Sequence, residues 1–238
     1  MIAPGWFVAG TDTGVGKTRV ACALLQGLRR HGWRAQGMKP VASGGQWLQG
    51  RWTNEDVAAL EHYSTPWSRE HQAPPMEWVN PYGFDPPIAP HIAAQQEGRE
   101  ISFAVIRSCL AQLQAGTRAV VVEGAGGLRV PLGTEGDMID LCVALDLPLI
   151  LVVGLRLGCL NQALLSMEAI QRRGARWGGW VANELTPNLV VRDEQIDTLR
   201  ARMENPYLGM IPFGAEMDTG AQALDWVQLL GQNRTGVE

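Results

Sequence analysis

The chain has 238 residues, of which 46% are hydrophobic and 18% are charged. This length fits one large domain or two small ones, and we predict a single domain over residues 1–238. The formal net charge of -4 at pH 7 argues against a general nucleic-acid binder, and no basic amphipathic or long apolar stretch indicates a membrane protein.

The cysteines and histidines do not form the pattern of a metal site. Neither residue type is paired at metal-ligand spacing, so we predict no zinc site. The scattered cysteines are typical of reduced thiols, and the N-terminus lacks the basic segment and long apolar run of a secretory signal. We therefore expect a cytoplasmic protein. The residues concerned are Cys22, Cys109, Cys142, Cys159, His31, His62, His71 and His91.

Apolar runs typical of strands alternate with helical patterns along the chain. Strands are predicted at Trp6–Ala9, Arg34–Met38, Ala119–Val122, Leu149–Val153, Gly179–Ala182 and Tyr207–Ile211. Helices are predicted at 18–31, 54–62, 101–115, 137–146, 159–173 and 192–204. This alternation predicts an α/β fold, with a mostly parallel sheet flanked by helices on both faces. Ligands then bind beyond the carboxyl ends of the strands.

Residues 64–98 interrupt the alternation. Seven prolines in this stretch predict that it contains no regular helix and no inner strand. Such a loop is either functional or a surface excursion, and the pattern alone leaves both open. The tail, 231–238, is predicted to be frayed. The prolines are Pro66, Pro74, Pro75, Pro81, Pro86, Pro87 and Pro90.

The stretch from Gly10 to Thr18 indicates a phosphate-binding loop. It ends in Gly-Lys-Thr and joins the first predicted strand to the first predicted helix, which is the context that a P-loop requires. Lys17 would reach the terminal phosphates of a nucleotide, and the Thr18 hydroxyl would bind magnesium. Thr11 stands where the common pattern has its first glycine, so an ordinary glycine-rich turn is the alternative. We predict a P-loop NTPase-like fold.

Two acids and a second lysine follow other predicted elements. Glu123 ends an apolar strand, as the acid of the second ATPase motif does. Asp56 lies in the first turn of a helix, where it either favours the helix dipole or binds magnesium. Lys39 follows the second strand, where it either neutralises a phosphoryl group or is a solvated lysine in a turn. Ser43 either donates a hydrogen bond to a ligand or shapes that turn.

Two further strand ends carry candidate ligand groups. Gly158 precedes a helix whose first N–H groups would hold an anion, although Asn161 is also a simple helix cap. Asn183 would pair with an adenine edge, because its amide has a donor and an acceptor, or it forms an Asx turn.

These motifs in this order resemble the dethiobiotin synthetases, ATP-dependent carboxylases of biotin biosynthesis. The stretches that carry the resemblance are 10–18, 39–44, 80–91, 122–127, 157–161 and 179–183. The resemblance implies a ligase that adds CO2 to an amine of 7,8-diaminononanoate and phosphorylates the carbamate with ATP. The second amine then closes the cyclic urea, which gives dethiobiotin, ADP and phosphate. The resemblance also implies a homodimer with its sites at the interface.

The resemblance also implies roles for individual residues. Lys17 and Lys39 are implied in catalysis, and Thr18, Asp56 and Glu123 in Mg²⁺ binding. The substrate-binding residues are implied to be Thr13, Lys39, Ser43 and, from the partner subunit, the helix start Cys159, Leu160 and Asn161. The ATP-binding residues are implied to be Gly14, Val15, Gly16, Lys17, Thr18, Arg19, Asp56, Glu123, Gly124, Ala125, Gly126, Asn183, Glu184, Pro212, Phe213, Gly214 and Glu216.

The chain departs from the family pattern at three places. Residues 128–131 are Leu-Arg-Val-Pro, where some relatives carry aromatic residues. Gly14 stands where some relatives carry Glu, and the match weakens after Gly214. The alternatives are a related amidotransferase of the cobyrinic acid diamide synthase kind and a nucleotide-switched partitioning protein. The first expects a glutaminase with a nucleophilic cysteine, and the second expects a lysine where this chain has Asp12.

Overall fold

A computed structural model describes residues 3–48, 50–68 and 73–231 of the chain. The strands are β1 (Gly5–Gly10), β2 (Ala35–Met38), β3 (Val41–Ser43), β4 (Gln46–Leu48), β5 (Arg51–Thr53), β6 (Tyr82–Phe84), β7 (Ala119–Gly127), β8 (Pro131–Gly133), β9 (Gly136–Asp137), β10 (Leu149–Leu155), β11 (Trp177–Glu184) and β12 (Tyr207–Ile211). The helices are α1 (Lys17–Arg30), α2 (Glu55–Tyr63), α3 (Met76–Val79), α4 (Pro90–Gln96), α5 (Phe103–Gly116), α6 (Met138–Leu145), α7 (Cys159–Arg173), α8 (Arg192–Arg202), α9 (Met217–Gln222) and α10 (Trp226–Gly231). Most of the tail whose fraying was predicted, 232–238, lies outside the described residues.

Six strands form one parallel sheet in the order β12-β11-β10-β1-β7-β2. Strand β1 lies inside it, with Phe7 paired to Leu149 on one side and to Val122 on the other. All three residues are fully buried, as continuous apolar strands covered on both faces require. The predicted parallel α/β fold is confirmed.

Successive strand residues enter two different apolar cores, because side chains of a strand alternate between its faces. Phe7 and Val122 belong to the larger core, which helices α4 to α8 cover. Trp6, Val8 and Val121 belong to the second core, which α1, α2 and α10 cover. The sheet therefore has helices on both faces, and its carboxyl edge is left for loops.

The prediction that residues 64–98 contain no regular helix is wrong. Helix α4 begins at Pro90, and proline is tolerated in a first turn because that N–H has no partner within the helix. Strand β6 pairs in parallel with β3 in a separate two-stranded sheet. No described residue of this stretch joins the six-stranded sheet, so the prediction of no inner strand is correct.

Several bounds differ from the predicted ones. Strand β7 continues to Gly127 instead of ending at Val122, and the antiparallel hairpins β4–β5 and β8–β9 were not predicted. Helices α9 and α10 were not predicted either, because each has only six residues and such short helices show a weak periodic pattern. None of the helices formed by the described residues is long and apolar enough to cross a membrane.

Candidate functional site

A cavity of about 670 Å³ lies at the carboxyl ends of β1, β2 and β7. It contains side chains or backbone from four separate predicted motifs. The predicted residues that line it are Thr13, Gly14, Gly16, Lys17, Thr18, Lys39, Ser43, Asp56, Glu123, Ala125 and Gly126. The topology brings them together because parallel strands end at one edge of the sheet.

The loop between β1 and α1 depends on glycine at particular positions. Gly14 and Gly16 have φ of 74° and 90°, a left-handed conformation that costs glycine little. A Cβ at Gly10 would lie 2.7 Å from Val15 Cγ2. Residue 10 is therefore the position where the loop has no room for a side chain. Thr11 has no such φ, and its N–H donates to the Val152 carbonyl at 3.1 Å. Threonine is therefore accommodated where the common pattern has glycine.

Lys17 is buried beside its own loop. Its Nζ donates to the Asp12 carbonyl at 3.0 Å. Burial, and then the like charge of Lys39, lower the pKa of Lys17 to about 8. Two ammonium groups thus act on one cavity, which favours an anion there.

A compact polar cluster lies next to the loop. The Thr18 hydroxyl oxygen is 2.6 Å from Asp56 Oδ1 and 2.9 Å from Glu123 Oε1. Lys39 Nζ donates to Asp56 Oδ2 at 2.7 Å and to Glu123 Oε1 at 2.6 Å. It also donates to the Gly124 carbonyl at 3.3 Å. One lysine therefore holds both carboxylates.

Burial and charge act against each other in this cluster. The Lys39 and Glu123 side chains are 3% and 0% exposed. Burial raises the pKa of Glu123. Burial also opposes the charged forms of Lys39 and Asp56, but their attraction to oppositely charged neighbours outweighs it. The pKa of Lys39 is accordingly raised and the pKa of Asp56 lowered. The fully buried Glu123 carboxylate therefore needs a cation beside it when it is charged.

The oxygen atoms of this cluster fit magnesium. Thr18, Asp56 and Glu123 present hard oxygen atoms, the kind that Mg²⁺ prefers, and Glu123 Oε2 is buried without a hydrogen-bond partner among the described residues. No three His, Cys, Asp or Glu side chains of the described chain group as ligands for a metal. Phosphate and water would thus supply the other ligands of a bound Mg²⁺, as is usual for this ion.

Lys17 and Lys39 are the only lysines of the chain, whose other cationic side chains are all arginine. Both line the cavity. Sequence reasoning did not use this fact, although it can be read directly from the composition. A buried site can lower the pKa of a lysine, whereas arginine stays charged. The presence of both lysines in this cavity therefore distinguishes it chemically from the rest of the chain.

The far wall of the cavity comes from the proline-rich stretch. Residues 87–90 line it together with Ala42, Asn54 and Val130, none of which the sequence predicted as site residues. Ser43, which it did predict, has a buried hydroxyl without a partner among the described residues. One end of the cavity is therefore charged and the other is largely apolar.

One of the predicted adenine residues contacts the phosphate loop, and two others line a separate cleft. Asn183 Nδ2 donates to the Val15 carbonyl at 3.0 Å, which leaves its buried Oδ1 without a partner in the described chain. A second cleft of about 510 Å³ contains Glu184 and Phe213, and Glu184 Oε2 accepts from the Phe213 N–H at 3.0 Å.

Arg19 holds the turn that follows β12. Its guanidinium donates to the carbonyls of Pro212 and Ala215. Gly214 and Glu216 lie in the same turn before α9 and line neither the cavity nor the second cleft. The turn is thus tied to the first turn of α1.

The start of α7 is close to the phosphate loop but outside the cavity. The Cys159 N–H donates to the Arg156 carbonyl at 3.1 Å, and no hydrogen bond from the Leu160 or Asn161 N–H is seen in the described part of the chain. Asp12 Oδ2 accepts from Arg156 at 2.6 Å and from Gln162 at 3.0 Å. The sequence did not predict this link between the loop and α7.

A glycine loop with its lysine and threonine, facing an acid at the end of a neighbouring parallel strand, defines a P-loop nucleotide-binding protein. A family model described as an AAA domain matches residues 5–220. Among solved structures, cobyrinic acid a,c-diamide synthase from Mycobacterium smegmatis aligns with TM-score 0.54 and 15% identity, over 93% of this chain and 91% of that one. The signal recognition particle receptor FtsY from Elizabethkingia anophelis aligns with TM-score 0.54 and 15% identity, over 96% of this chain and 64% of that one. These likenesses show the fold.

Sequence relatives are more specific. The ATP-dependent dethiobiotin synthetase of Aromatoleum aromaticum is 50% identical over 213 residues, which cover 90% of this chain and 92% of the relative. That of Nitrosospira multiformis is 44% identical over 234 residues, 98% of this chain and 97% of the relative. That of Xanthomonas axonopodis pv. citri is 44% identical over 220 residues, covering 92% and 96%. The chain belongs to the family of ATP-dependent dethiobiotin synthetases, as its motifs predicted.

Proposed function

We propose that this chain carboxylates 7,8-diaminononanoate and closes its cyclic urea at the expense of ATP. The observation that carries the proposal is the position of Lys39. Its buried ammonium lies between Asp56 and Glu123, and it lines the same cavity as Lys17 and Ser43. The cavity thus joins the residues expected around the phosphates to a wall suited to an aliphatic diamine.

The chemistry accounts for this charge arrangement. One amine adds to CO2 and loses a proton, which gives a carbamate. The carbamate oxygen attacks the γ-phosphorus of ATP, the bond to ADP breaks, and a carbamic–phosphoric anhydride forms. The second amine attacks the carbonyl carbon and phosphate leaves with the ring closed. Two anions must meet in the phosphoryl transfer, and Lys17 and Lys39 neutralise them.

Thr18, Asp56 and Glu123 would hold Mg²⁺, which supplies further charge neutralisation at the phosphates. The backbone of Gly14, Val15 and Gly16 would wrap the phosphates, since glycines in left-handed conformation turn N–H groups toward an anion. Gly124, Ala125 and Gly126 would let the nucleotide approach the backbone closely, because their side chains are small or absent.

The diamine would lie against Thr13 and Ser43, with its chain along residues 87–90. The Ser43 hydroxyl, which has no partner within the described part of the chain, is a donor and acceptor for an amine or carbamate. Because both amines are then held beside one carbonyl, ring closure is intramolecular and needs mainly positioning.

The adenine would lie between Asn183 and the turn 212–216. The buried Asn183 Oδ1 lacks a partner among the described residues, so an exocyclic amine of a base would satisfy it. Glu184, Pro212, Phe213, Gly214 and Glu216 would surround the ring, and Arg19 would hold the turn in place.

A homodimer would complete the site through the start of α7. Leu157 and Leu165 are 99% and 58% exposed, and Leu165 borders a groove of about 410 Å³ beside the phosphate loop. An exposed leucine beside a groove, with a second exposed leucine just before the start of the same helix, favours an interface with a second copy. The N–H groups of Leu160 and Asn161, which have no acceptor among the described residues, would then bind, with Cys159, the carboxylate tail of a substrate held by that copy.

The dimer is tested by sedimentation equilibrium. We expect twice the chain mass of 25.9 kDa at micromolar concentration. The large, apolar interface of a stable homodimer keeps the two copies associated at that concentration. A mass of one chain at concentrations where the enzyme turns over would contradict the shared site.

The function is tested by incubating the chain with diaminononanoate, bicarbonate, Mg²⁺ and ATP and measuring dethiobiotin by mass spectrometry. We expect dethiobiotin and ADP in equal amounts, and neither product without the diamine. ADP formation with no dethiobiotin would refute the proposed reaction and favour a nucleotide switch.

Replacing Glu123 by glutamine should raise the Mg²⁺ concentration for half-maximal turnover about tenfold, because a charged ligand is lost. A titration of activity with Mg²⁺ measures this. Glu135→Gln is the matched control, since the Glu135 carboxylate accepts from the Phe103 N–H at 2.8 Å outside the cavity. An unchanged titration for Glu123→Gln would remove Glu123 from the metal site.

A further inference from the structure

Part of the proline-rich stretch runs alongside the segment that begins at Lys39 and is hydrogen-bonded to it along most of its length. The Tyr82 N–H donates to the Pro40 carbonyl at 3.2 Å, and β6 then pairs with β3 from Val41 to Ser43. The Gly44 and Gly45 N–H groups donate to the carbonyls of Pro86 and Phe84. Residues 79–86 thus form a continuous support for residues 39–45.

The support is closest at Lys39 itself. Strand β2 ends at Met38, so the backbone of Lys39 has left the six-stranded sheet. Its N–H donates to the Val79 carbonyl at 2.8 Å. Its carbonyl accepts from Asn80 Nδ2 at 2.6 Å. Two consecutive residues therefore hold both main-chain groups of the lysine.

Asn80 is itself fixed. It is 6% exposed, its N–H donates to the Met76 carbonyl at 2.7 Å, and Nδ2 also lies 3.4 Å from the Tyr82 carbonyl. Loss of the Asn80 side-chain donor leaves the Lys39 carbonyl without this buried hydrogen bond, which is unfavourable and lets the backbone of Lys39 shift.

The supporting strand has its own anchor. The Arg99 guanidinium lies 5.5 Å from the Tyr82 ring centroid and 4.9 Å from that of Phe84. It also donates to the Gly83 carbonyl at 3.1 Å. The Tyr82 hydroxyl accepts from the Ser102 N–H at 3.0 Å. The stretch is therefore also held by contacts that do not involve residues 39–45.

We propose that Asn80 is a positioning residue for Lys39. The amide of Asn80 holds the backbone of Lys39 where its ammonium reaches both the carboxylates and the cavity. The inference rests on the proposed catalytic role of Lys39. It also gives the proline-rich stretch a function, which is to fix the geometry of the site. A misplacement of about 1 Å in a catalytic group can cost about a hundredfold in rate.

Asn80→Ala should lower kcat about tenfold or more, and change the dissociation constant for ATP less than about twofold, because Asn80 does not line the cavity. Gln36→Ala is the matched control. Gln36 is 2% exposed, and its Nε2 donates to the buried Thr65 carbonyl at 2.6 Å, so it loses the same kind of bond away from the cavity. We expect kcat of that variant to stay within about twofold.

A spectroscopic readout separates positioning from general damage. In protein labelled with ¹³Cε-lysine, the chain offers signals from Lys17 and Lys39 alone, and Lys39→Arg assigns them. Asn80→Ala should shift the Lys39 signal and leave that of Lys17 in place. Gln36→Ala should move neither.

A double-mutant cycle completes the test. If Asn80 acts through Lys39, Asn80→Ala changes the kcat of Lys39→Ala by less than about twofold, because residues in one network are not additive. An equal loss in both backgrounds, or an unmoved Lys39 signal, overturns the inference. Normal turnover of Lys39→Ala would instead refute the proposed role of Lys39, while the shift of its signal in Asn80→Ala would still report the structural link.

Discussion

Replacing Lys39 by alanine should lower turnover roughly 10²–10³-fold, which is the size of effect seen when one charge-stabilising donor is removed from a reaction centre. The carbamate and the γ-phosphate are both anionic. Lys39 is the positive group that lies between the two carboxylates and the part of the cavity where the diamine is expected. ATP affinity should fall by no more than a few-fold, because the phosphate loop and Lys17 remain.

Initial rates of dethiobiotin formation and calorimetric ATP binding measure the two effects separately. Removing Lys39 also leaves the fully buried Glu123 without its partner, and breaking a buried ion pair costs about 3–5 kcal/mol. Urea unfolding of the variant is therefore needed, and ATP binding shows that the folded form is the one measured. Turnover equal to that of the unchanged chain would exclude Lys39 from the mechanism.

Replacing Gly16 by alanine should weaken ATP binding at least about tenfold, with a matching loss of activity. The φ of 90° is strained for any residue with a Cβ, which costs about 1–2 kcal/mol. The added Cβ would lie 2.1 Å from Asn183 Nδ2, so either the loop or the asparagine must move. Both are expected to contact the nucleotide.

Gly14→Ala is the matched control for this variant. Gly14 has a similar φ of 74°, but a Cβ there meets no atom of the described residues within 4 Å, so the variant carries the backbone strain without the collision. Calorimetric titration with ATP should find Gly14→Ala closer to the unchanged chain than Gly16→Ala. Equal losses would show that strain alone, and not the contact with Asn183, sets the effect.

The parallel fold could be predicted because its signals are local. Apolar strands such as Val120–Val122 are buried on both faces, so they stand out in the sequence without knowledge of their neighbours. The same holds for the loop ending in Lys17 and Thr18, whose strand–loop–helix context lies within a few residues. Glu123 and Lys39 were predicted as site residues because each follows a strand.

The stretch 64–98 could not be predicted in the same way. Its prolines correctly argued against a strand of the main sheet, but not against α4, where Pro90 occupies a permitted first-turn position. The pairing of β6 with β3 depends on contacts about forty residues apart. No local pattern reports such a contact, since it forms only when tertiary contacts offset the entropy lost in closing the long loop between the two strands.

The sequence alone determined the fold class, the family and the residue types of the site, because these follow from local spacing and from motifs. Only the tertiary structure decided how the Gly10–Thr18 loop is used. It showed that the position without room for a side chain is Gly10 and not Thr11. It also placed Lys39 between two carboxylates that come from distant elements. It also showed that Asn80 holds the backbone of Lys39. Distances and burial between remote segments set these features, and a linear chain does not contain them until it folds.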